Sequence, residues 1–317
     1  MNRTLTRPQA MGLLLIAAIA WGGMFPLAKA LLHHMDAFGM TAIRYGTAAL
    51  LFLATLRWRE GRDALRLGGA GPRLWLYGTL GFAGFNLLAY VGIAHTRPEH
   101  AAVMVALTPL ITAVIQGLRI RRRPDASVLL AIALALCGVV LVIGDGGALG
   151  RSGGGVGGDI LVFLGAVCWV LYTLGAQRFP DWSPLRYTAL SCALGAASIV
   201  AIDAALVGLG LAHLPSAHGL RESAWGIVYL VVVAAFVAVL GWNAGIRRIG
   251  AQGGVLFINL VPVTAMVIGA LQGHPVGAGE IVGAGMVMAA LVINSVAASP
   301  GTVRRLLRRP RPGACPS

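Results

Sequence analysis

Long apolar stretches separated by short polar segments are the dominant pattern along the chain. Ten such runs hold few charges, and each is long enough to cross a bilayer as an α-helix. The predicted spans are 10–32, 37–56, 74–94, 99–119, 127–144, 158–178, 185–208, 223–246, 251–272 and 278–298. Because lipid offers no partner for free backbone groups, helices are expected throughout. The predicted fold class is an all-α integral membrane protein with ten transmembrane helices.

Composition and charge support a membrane location. Only 11% of the residues are charged, whereas a soluble domain carries about 25%. With the N-terminus placed in the cytoplasm, twenty arginines fall on the cytoplasmic side, and only Arg97, Arg151 and Arg221 fall opposite. The positive-inside rule then predicts a multi-pass protein of the cytoplasmic (inner) membrane with both termini cytoplasmic. The arginines are too scattered to form a nucleic-acid-binding surface. The expected partner of these basic residues is therefore membrane lipid.

The two halves of the chain share two spacings, from a tryptophan to a polar residue and from a small-residue segment to a proline. The matched positions are Trp21 with Trp169, Lys29 with Gln177, and Pro109 with Pro262. Five spans in each half is an odd number, so the second half must enter the membrane from the opposite side. The pattern therefore predicts an inverted repeat. A fusion of two unrelated five-span pieces is the alternative.

The predicted division of the chain follows from this repeat. Residues 1–145 form a first repeat with spans 1–5, and residues 146–158 form a glycine-rich connector. Residues 159–299 form the second repeat with spans 6–10, and residues 300–317 form a basic cytoplasmic tail. The first apolar run is longer than the core of a signal peptide, which is about 7–15 residues, so it is predicted to remain as a helix.

Sequence signatures of enzymes and metal sites have no suitable context here. The four cysteines, Cys137, Cys168, Cys192 and Cys315, lack the C-x-x-C spacing of zinc or redox sites. Matches to G-x-S-x-G and G-x-G-x-x-G fall in the glycine-rich connector, without the strand–turn–helix context that gives them meaning. No enzymatic activity, metal or cofactor is predicted.

Polar and aromatic residues inside the apolar spans are the candidate functional residues, because their burial in a membrane is costly. The substrate-binding candidates are Trp21, Lys29, Asn86, Tyr90, Pro109, Trp169, Tyr172, Gln177, Trp242, Asn243, Asn259 and Pro262. Arg44, Glu99 and Glu280 are candidates for coupling. Structural alternatives exist for each: Lys29 and Arg44 as side chains that snorkel to the interface, the glutamates as helix N-terminal charges, and the others as interhelical or interfacial contacts.

Several strings together resemble a known family. They are Trp21-Gly22-Gly23-Met24-Phe25-Pro26-Leu27-Ala28-Lys29, Arg44-Tyr45, and Ala101-Ala102-Val103-Met104-Val105-Ala106-Leu107-Thr108-Pro109-Leu110, with a looser echo at Gly165-Ala166-Val167-Cys168-Trp169. Over about residues 10–298 the chain resembles the EamA-type ten-helix members of the drug/metabolite transporter superfamily. It departs from the family after span 4, where a Gly-Glu pair is common and Arg121-Arg122-Arg123-Pro124 stands instead.

The resemblance implies ten helices around a central cavity, lined by spans 1, 3, 4, 6, 8 and 9, with spans 5 and 10 outside. Bacterial members are mostly exporters of amino acids or other small metabolites. The expected function is therefore secondary transport of a small-molecule solute by alternating access, driven by a solute or proton gradient. A passive channel and a lipid flippase are the alternatives. A channel lumen should carry a ring of like polar groups, and none is visible, whereas a flippase leaves no mark on the sequence.

Overall fold

The computed structural model describes residues 5–119, 126–145, 154–249, 257–258, 260–273 and 276–297. Regular structure within these ranges is helical and includes no β-strand, which confirms the all-α prediction. Seven helices are long and apolar enough to cross a membrane, and three shorter apolar helices accompany them. Most of the predicted connector (146–153), the candidate Asn259 and the tail 300–317 lie outside the described residues.

The helices follow the predicted apolar runs. In chain order they are α1 (Arg7–Leu31), α2 (Ala37–Glu60), α3 (Gly71–His95), α4 (Pro98–Arg119), α5 (Ala126–Asp145), α6 (Gly154–Gly175), α7 (Pro184–Gly208), α8 (Ala217–Ile246), α9 (Leu260–Leu271) and α10 (Ala278–Ala297). Some boundaries differ: α8 begins at Ala217 instead of residue 223, and α6 begins inside the predicted glycine-rich connector. A helix satisfies the backbone of an apolar segment, and this outweighs the low helix propensity of glycine.

Side-chain caps mark where several helices begin. Thr6 and Gln9 form a reciprocal capping box at the start of α1. Asp36 accepts hydrogen bonds from the first backbone amides of α2, and Ser183 and Ser216 do the same for α7 and α8. These caps satisfy amides that have no partner within their own helix, so the polar residues between the apolar runs set the helix boundaries.

Helices of the first half pack against helices of the second half. The principal pairs are α1 with α8, α3 with α6, α2 with α7, α5 with α10, α3 with α7, α1 with α9, α4 with α6, α2 with α8 and α4 with α9. If each helix in the first half corresponds to the helix five places later, the pair α1–α8 is the counterpart of α6–α3. In the same way α1–α9 is the counterpart of α6–α4, and α3–α7 is the counterpart of α8–α2. The pairs α2–α7, α4–α9 and α5–α10 map onto themselves. Two equivalent halves related by a two-fold axis would pack in this way, and the inverted repeat stays a prediction.

The surface of the bundle is rich in exposed apolar side chains. Leu50 on α2, Leu136 on α5 and Ile281 on α10 each expose more than half of their surface. Apolar surface on this scale is unfavourable in water and suits the hydrocarbon region of a bilayer. Together with the length of the helices, it identifies a multi-pass membrane protein.

Two facing glycines allow α5 and α10 to approach closely. A Cβ atom added to Gly283 would meet the backbone carbonyl oxygen of Gly138, and a Cβ atom added to Gly138 would meet that of Gly283. Small residues at such crossings let helix backbones pack in membranes, where no hydrophobic force drives helices together. The α5–α10 contact therefore depends on both glycines.

This contact predicts opposite effects for two neighbouring glycines on α10. Gly283→Ala should lower the stability by about 1–3 kcal/mol, because the new methyl group meets rigid backbone. Gly285→Ala is the matched control: nothing lies within 4 Å of its Cβ position, so the higher helix propensity of alanine should raise stability slightly. Thermal unfolding in detergent measures both. Equal shifts for the two variants would contradict the close contact.

Candidate functional site

A buried arginine lies where α2, α3 and α8 meet. Arg44 is only 3% exposed. Its Nε donates to the carbonyl oxygen of Leu230 at 3.1 Å, and its Nη1 donates to Asn86 Oδ1 at 3.1 Å and to the Tyr90 hydroxyl. The guanidinium also stands 4.8 Å from the centroid of the Tyr45 ring, a favourable cation–π distance. Arg44, Tyr45, Asn86 and Tyr90 are called the Arg44 cluster below.

The partners of Arg44 are neutral. Asn86 Oδ1 also accepts from the Tyr45 hydroxyl at 3.1 Å, and Asn86 Nδ2 donates to the carbonyl oxygen of Phe82 at 2.9 Å. Among the described residues, no carboxylate forms an ion pair with Arg44. Buried charges in proteins are normally paired with an opposite charge, so the charge of this cluster is incompletely balanced.

Two π-helical segments supply backbone oxygens to these side chains. They are Thr79–Gly84 in α3 and Tyr229–Val237 in α8. Phe82 lies in the first segment and Leu230 in the second, so hydrogen bonds from the Arg44 cluster reach both. π-Helical turns are rare and occur frequently at functional sites. α3 and α8 are also the helices that the repeat predicts to be equivalent.

The two matched tryptophans pack in corresponding ways. Trp21 Nε1 donates to the carbonyl oxygen of Ala234 in α8 at 3.0 Å, and its ring centroid lies 5.1 Å from that of Trp242. Trp169 on α6 packs against Phe85 on α3, with centroids 5.5 Å apart. Each tryptophan therefore contacts the helix that the repeat scheme assigns to it.

A second aromatic group lies between α6 and α7. The Tyr172 ring is 5.2 Å from Trp169 and stacks on Tyr187 at 5.1 Å. Asn243 on α8 donates to the Thr188 hydroxyl on α7 at 3.3 Å. The candidates Trp169, Tyr172, Trp242 and Asn243 therefore contact other helices through their polar or aromatic groups, and their role with a solute stays a prediction.

At the end of the bundle where α4, α6 and α10 begin, a buried histidine contacts two carboxylates. His100 Nδ1 is 3.5 Å from Asp159 Oδ2, and His100 Nε2 is 3.2 Å from Glu280 Oε1. Arg97 forms an ion pair with Glu280, and the Thr96 hydroxyl donates to Asp159 Oδ1 at 2.6 Å. These five residues are called the His100 cluster, and the end where they lie is called the arginine-poor end.

Glu99 extends this cluster toward α9. Its carboxylate is 1% exposed, and its Oε2 lies 3.6 Å from Arg97 Nε. Its Oε1 stands where a Cβ atom of Gly269 would be, and neither oxygen accepts a hydrogen bond within the described ranges. The coupling candidates Glu99 and Glu280 therefore come together around Arg97. The two halves of the chain are joined here by charged groups.

Lys29 binds the end of α3. Its Nζ donates to the carbonyl oxygens of Ile93 at 2.6 Å, Ala94 at 2.9 Å and Thr96 at 2.9 Å. The last carbonyls of a helix have no partner within it, and a cation near them is favourable. Lys29 therefore holds α1 to the C-terminus of α3.

The remaining candidates fall in three places. α4 is interrupted at Leu107, two residues before Pro109, as expected where proline removes a backbone donor. Pro262 is buried near the start of α9. Gln177 is exposed in a short 3₁₀ turn after α6, so the structure brings it to neither cluster. Its sequence counterpart Lys29 donates to the carbonyl oxygen of Thr96, a member of the His100 cluster.

The sequence reasoning missed Arg97, His100 and Asp159 as site candidates. Each lies within the first turns of an apolar run, where a polar residue is an ordinary helix start. The usable signal was the number of ionisable residues at the beginnings of spans 4, 6 and 10. Their contact spans large sequence separations, so only the packing of the helices reveals it.

Apolar helices with charged groups buried between them are typical of membrane transporters, and the comparisons with known proteins place the chain in that class. The EamA-like transporter family model matches residues 9–144 and 156–296, once in each half. The chain belongs to the EamA-like transporter family, within the drug/metabolite transporter superfamily. The family and the similar proteins are transporters and not enzymes.

Similar proteins extend over most of the chain. The uncharacterized transporter YyaM of Bacillus subtilis is 33% identical over 301 residues, covering 92% of this chain and 93% of that protein. The uncharacterized transporter YrdR of the same organism is 30% identical, covering 89% of each. A biotin transporter of Escherichia coli is 26% identical over 76% of this chain and 77% of that one. A crystal structure covering 95% of this chain and 100% of its own aligns with a TM-score of 0.65 and 21% identity, which supports the fold.

The contacts of Lys29 predict a structural effect of its removal. Lys29→Met should lower the free energy of unfolding by about 1.5–3 kcal/mol, because the charged hydrogen bonds to the end of α3 are lost. Lys29→Arg should recover part of this loss. His33→Ala removes an exposed histidine just after the end of α1 and should leave the free energy of unfolding nearly unchanged. Thermal unfolding in detergent tests the set; wild-type stability of Lys29→Met would contradict the capping role.

Proposed function

We propose that this protein is a secondary transporter that moves a small metabolite across the cytoplasmic membrane by alternating access between its two halves. The His100 cluster is the observation that carries the proposal. It joins α4 of the first half to α6 and α10 of the second half through ionisable groups at one end of the bundle. Separation of these groups would open that end, and their return would close it.

The proposed orientation and repeat follow from the arginines and from the helix pairs. The arginine-rich end faces the cytoplasm, with both termini on that side, as the positive-inside rule favours. Ten spans then form two inverted halves, and the pairing of α1 with α8 and of α3 with α6 supports this arrangement. The His100 cluster consequently closes the side away from the cytoplasm.

The proposed solute is an amino acid or another small metabolite, and export is the proposed direction. Export is the usual direction among the bacterial members of the family that the sequence resembles. The similarity to a biotin transporter adds biotin to the solutes worth testing. Membrane lipid surrounds the protein in either case, and a lipid substrate is one outcome of the experiment below.

Protons are the proposed coupling ion, and His100 is their proposed binding group. Histidine is the side chain whose charge changes most readily near physiological pH. The charged groups around it are Asp159 on α6, Glu280 on α10 and Arg97 on α4. Glu99 extends this charge network through Arg97. A charged imidazole attracts both carboxylates and favours closure, whereas a neutral imidazole leaves them with less positive charge.

Solute counterflow in proteoliposomes tests the transport function. Labelled amino acids, biotin, nucleosides and sugars are offered to vesicles loaded with the same unlabelled solute. We expect saturable exchange of one class of solute. In alternating access a solute-loaded binding site can face either side of the membrane in turn, and the number of such sites limits the rate. Flux that does not saturate would indicate a channel. Transfer of fluorescent phospholipid between leaflets, without exchange of any solute, would indicate a flippase.

Variants of the His100 cluster test the coupling. Glu280→Gln and His100→Gln should abolish transport driven by a proton gradient while counterflow continues, because exchange needs no net movement of protons. Counterflow also shows that each variant is folded. Glu222→Gln is the matched control, since this half-exposed glutamate lies at the same end of the bundle and contacts only His34 and His218 among the described ionisable residues. If both cluster variants retain transport driven by the proton gradient, the proposal of proton coupling is wrong.

A further inference from the structure

We propose that the Arg44 cluster binds the carboxylate group of the transported solute, an inference that rests on the proposed transport function. It gives the solute a chemical class, a small organic monocarboxylate. It also moves Arg44 from the coupling candidates to the solute site. The four reasons are the charge of the cluster, its unused donors, the rigidity of its arrangement and its position between the two halves.

The first reason is charge. Arginine stays protonated in proteins, and Arg44 is almost completely buried. Its hydrogen-bond partners are a carbonyl, an amide oxygen and a hydroxyl, all neutral. Arg97 shows the contrast within the same bundle, because it contacts the carboxylates of Glu99 and Glu280. A buried cation without a counter-charge is a costly arrangement that an incoming anion would relieve.

The second reason is hydrogen-bonding capacity. A guanidinium has five N–H donors, and Arg44 uses those on Nε and Nη1. Its Nη2 has no hydrogen-bond partner in the described part of the chain. The Tyr90 hydroxyl accepts from Arg44, so its own proton is available for a different acceptor. Nη2 and the Tyr90 hydroxyl together offer donors suited to the two oxygens of a carboxylate.

The third reason is the rigidity of this arrangement. Asn86 Oδ1 accepts from both Arg44 and Tyr45, while Asn86 Nδ2 is engaged by Phe82. Asn86 and Tyr45 therefore act as positioning residues that fix the guanidinium and leave its Nη2 unoccupied. A donor held in place before binding loses little conformational freedom when the anion arrives.

The fourth reason is position. Arg44 and its neighbours on α2 and α3 belong to the first half, and Leu230 belongs to α8 of the second half. The hydrogen bonds of the cluster reach the π-helical segments of both α3 and α8. A carboxylate bound to Nη2 would add a charged partner to an arginine that already contacts both halves. Binding of the solute would thereby alter the contact between the halves that alternating access must rearrange.

The cluster favours a singly charged carboxylate over a phosphate. A second cation is missing from it, because Lys29 donates to the backbone carbonyls at the end of α3. One guanidinium balances one negative charge, whereas a phosphate ester carries about −1.5 to −2 at neutral pH. The aromatic rings of Tyr45 and Tyr90 lie beside the guanidinium, so the surroundings of the single charge are largely apolar.

Matched solute pairs test the inference on the full-length protein purified in detergent. Each pair is a carboxylate and its neutral amide: benzoate and benzamide, indole-3-acetate and indole-3-acetamide, N-acetyl-leucine and its amide, biotin and biotinamide. Binding is measured as the saturable rise in unfolding temperature with solute concentration at constant ionic strength. We expect at least one carboxylate to bind ten-fold or more tightly than its amide.

Two variants and one control locate the binding. Arg44→Gln should remove the preference for the carboxylate, and Tyr90→Phe should weaken carboxylate binding about ten-fold while amide binding is unchanged. Tyr77→Phe is the matched control, because this partly buried tyrosine on α3 packs against Phe179 and shares no hydrogen bond or ring contact with the cluster among the described residues. If Arg44→Gln does not fold, Tyr90→Phe and the wild-type preference decide the result.

The outcomes separate this inference from the transport function. Equal binding of carboxylates and amides, or no binding of any carboxylate in the panel, overturns the carboxylate site. Saturable counterflow of a neutral solute in the same preparation would then leave the transporter in place without that site. Carboxylate binding that depends on Arg44, in protein that catalyses no counterflow, supports the site and overturns the transport proposal alone.

Discussion

The structure depends on one constraint: inside an apolar bundle, a charged or polar group is costly unless it has a partner within the protein. Lys29 meets it by binding the end of a neighbouring helix, and Arg97 by contacting carboxylates from two helices. Each solution joins segments that are distant in sequence. The buried polar groups therefore do more than mark a site, because they determine which helix ends meet and how the two halves of this EamA-like transporter are held together.

The same constraint explains what the sequence predicts well. α2 (Ala37–Glu60) and α7 (Pro184–Gly208) begin within one residue of the predicted apolar runs, because polar caps and long apolar stretches leave one satisfactory backbone structure in lipid. The predicted start of α6, residue 158, is wrong, because the helix begins at Gly154. A glycine-rich segment predicts a connector, but the membrane environment favours a helix there. Backbone structure in this chain follows local sequence.

Side-chain constellations do not follow local sequence. Arg44, Asn86 and Tyr90 were recognised as separate polar residues, but their hydrogen bonds depend on how α2 and α3 cross. His100 and Asp159 meet only because α4 packs against α6. The π-helical segments left no signal at all, since glycine and apolar residues of these types occur equally in regular membrane helices. Tertiary packing supplies this part of the site.

Different kinds of side chain connect the helices at the two ends of the bundle. Charged groups join the halves at the arginine-poor end, whereas stacked tyrosines and the Asn243–Thr188 hydrogen bond connect helices toward the other end. If the two halves alternate as proposed, unequal contacts at the two ends give the outward-facing and inward-facing forms different free energies before any solute binds. The side chains at the two ends would then decide in which form the empty protein rests.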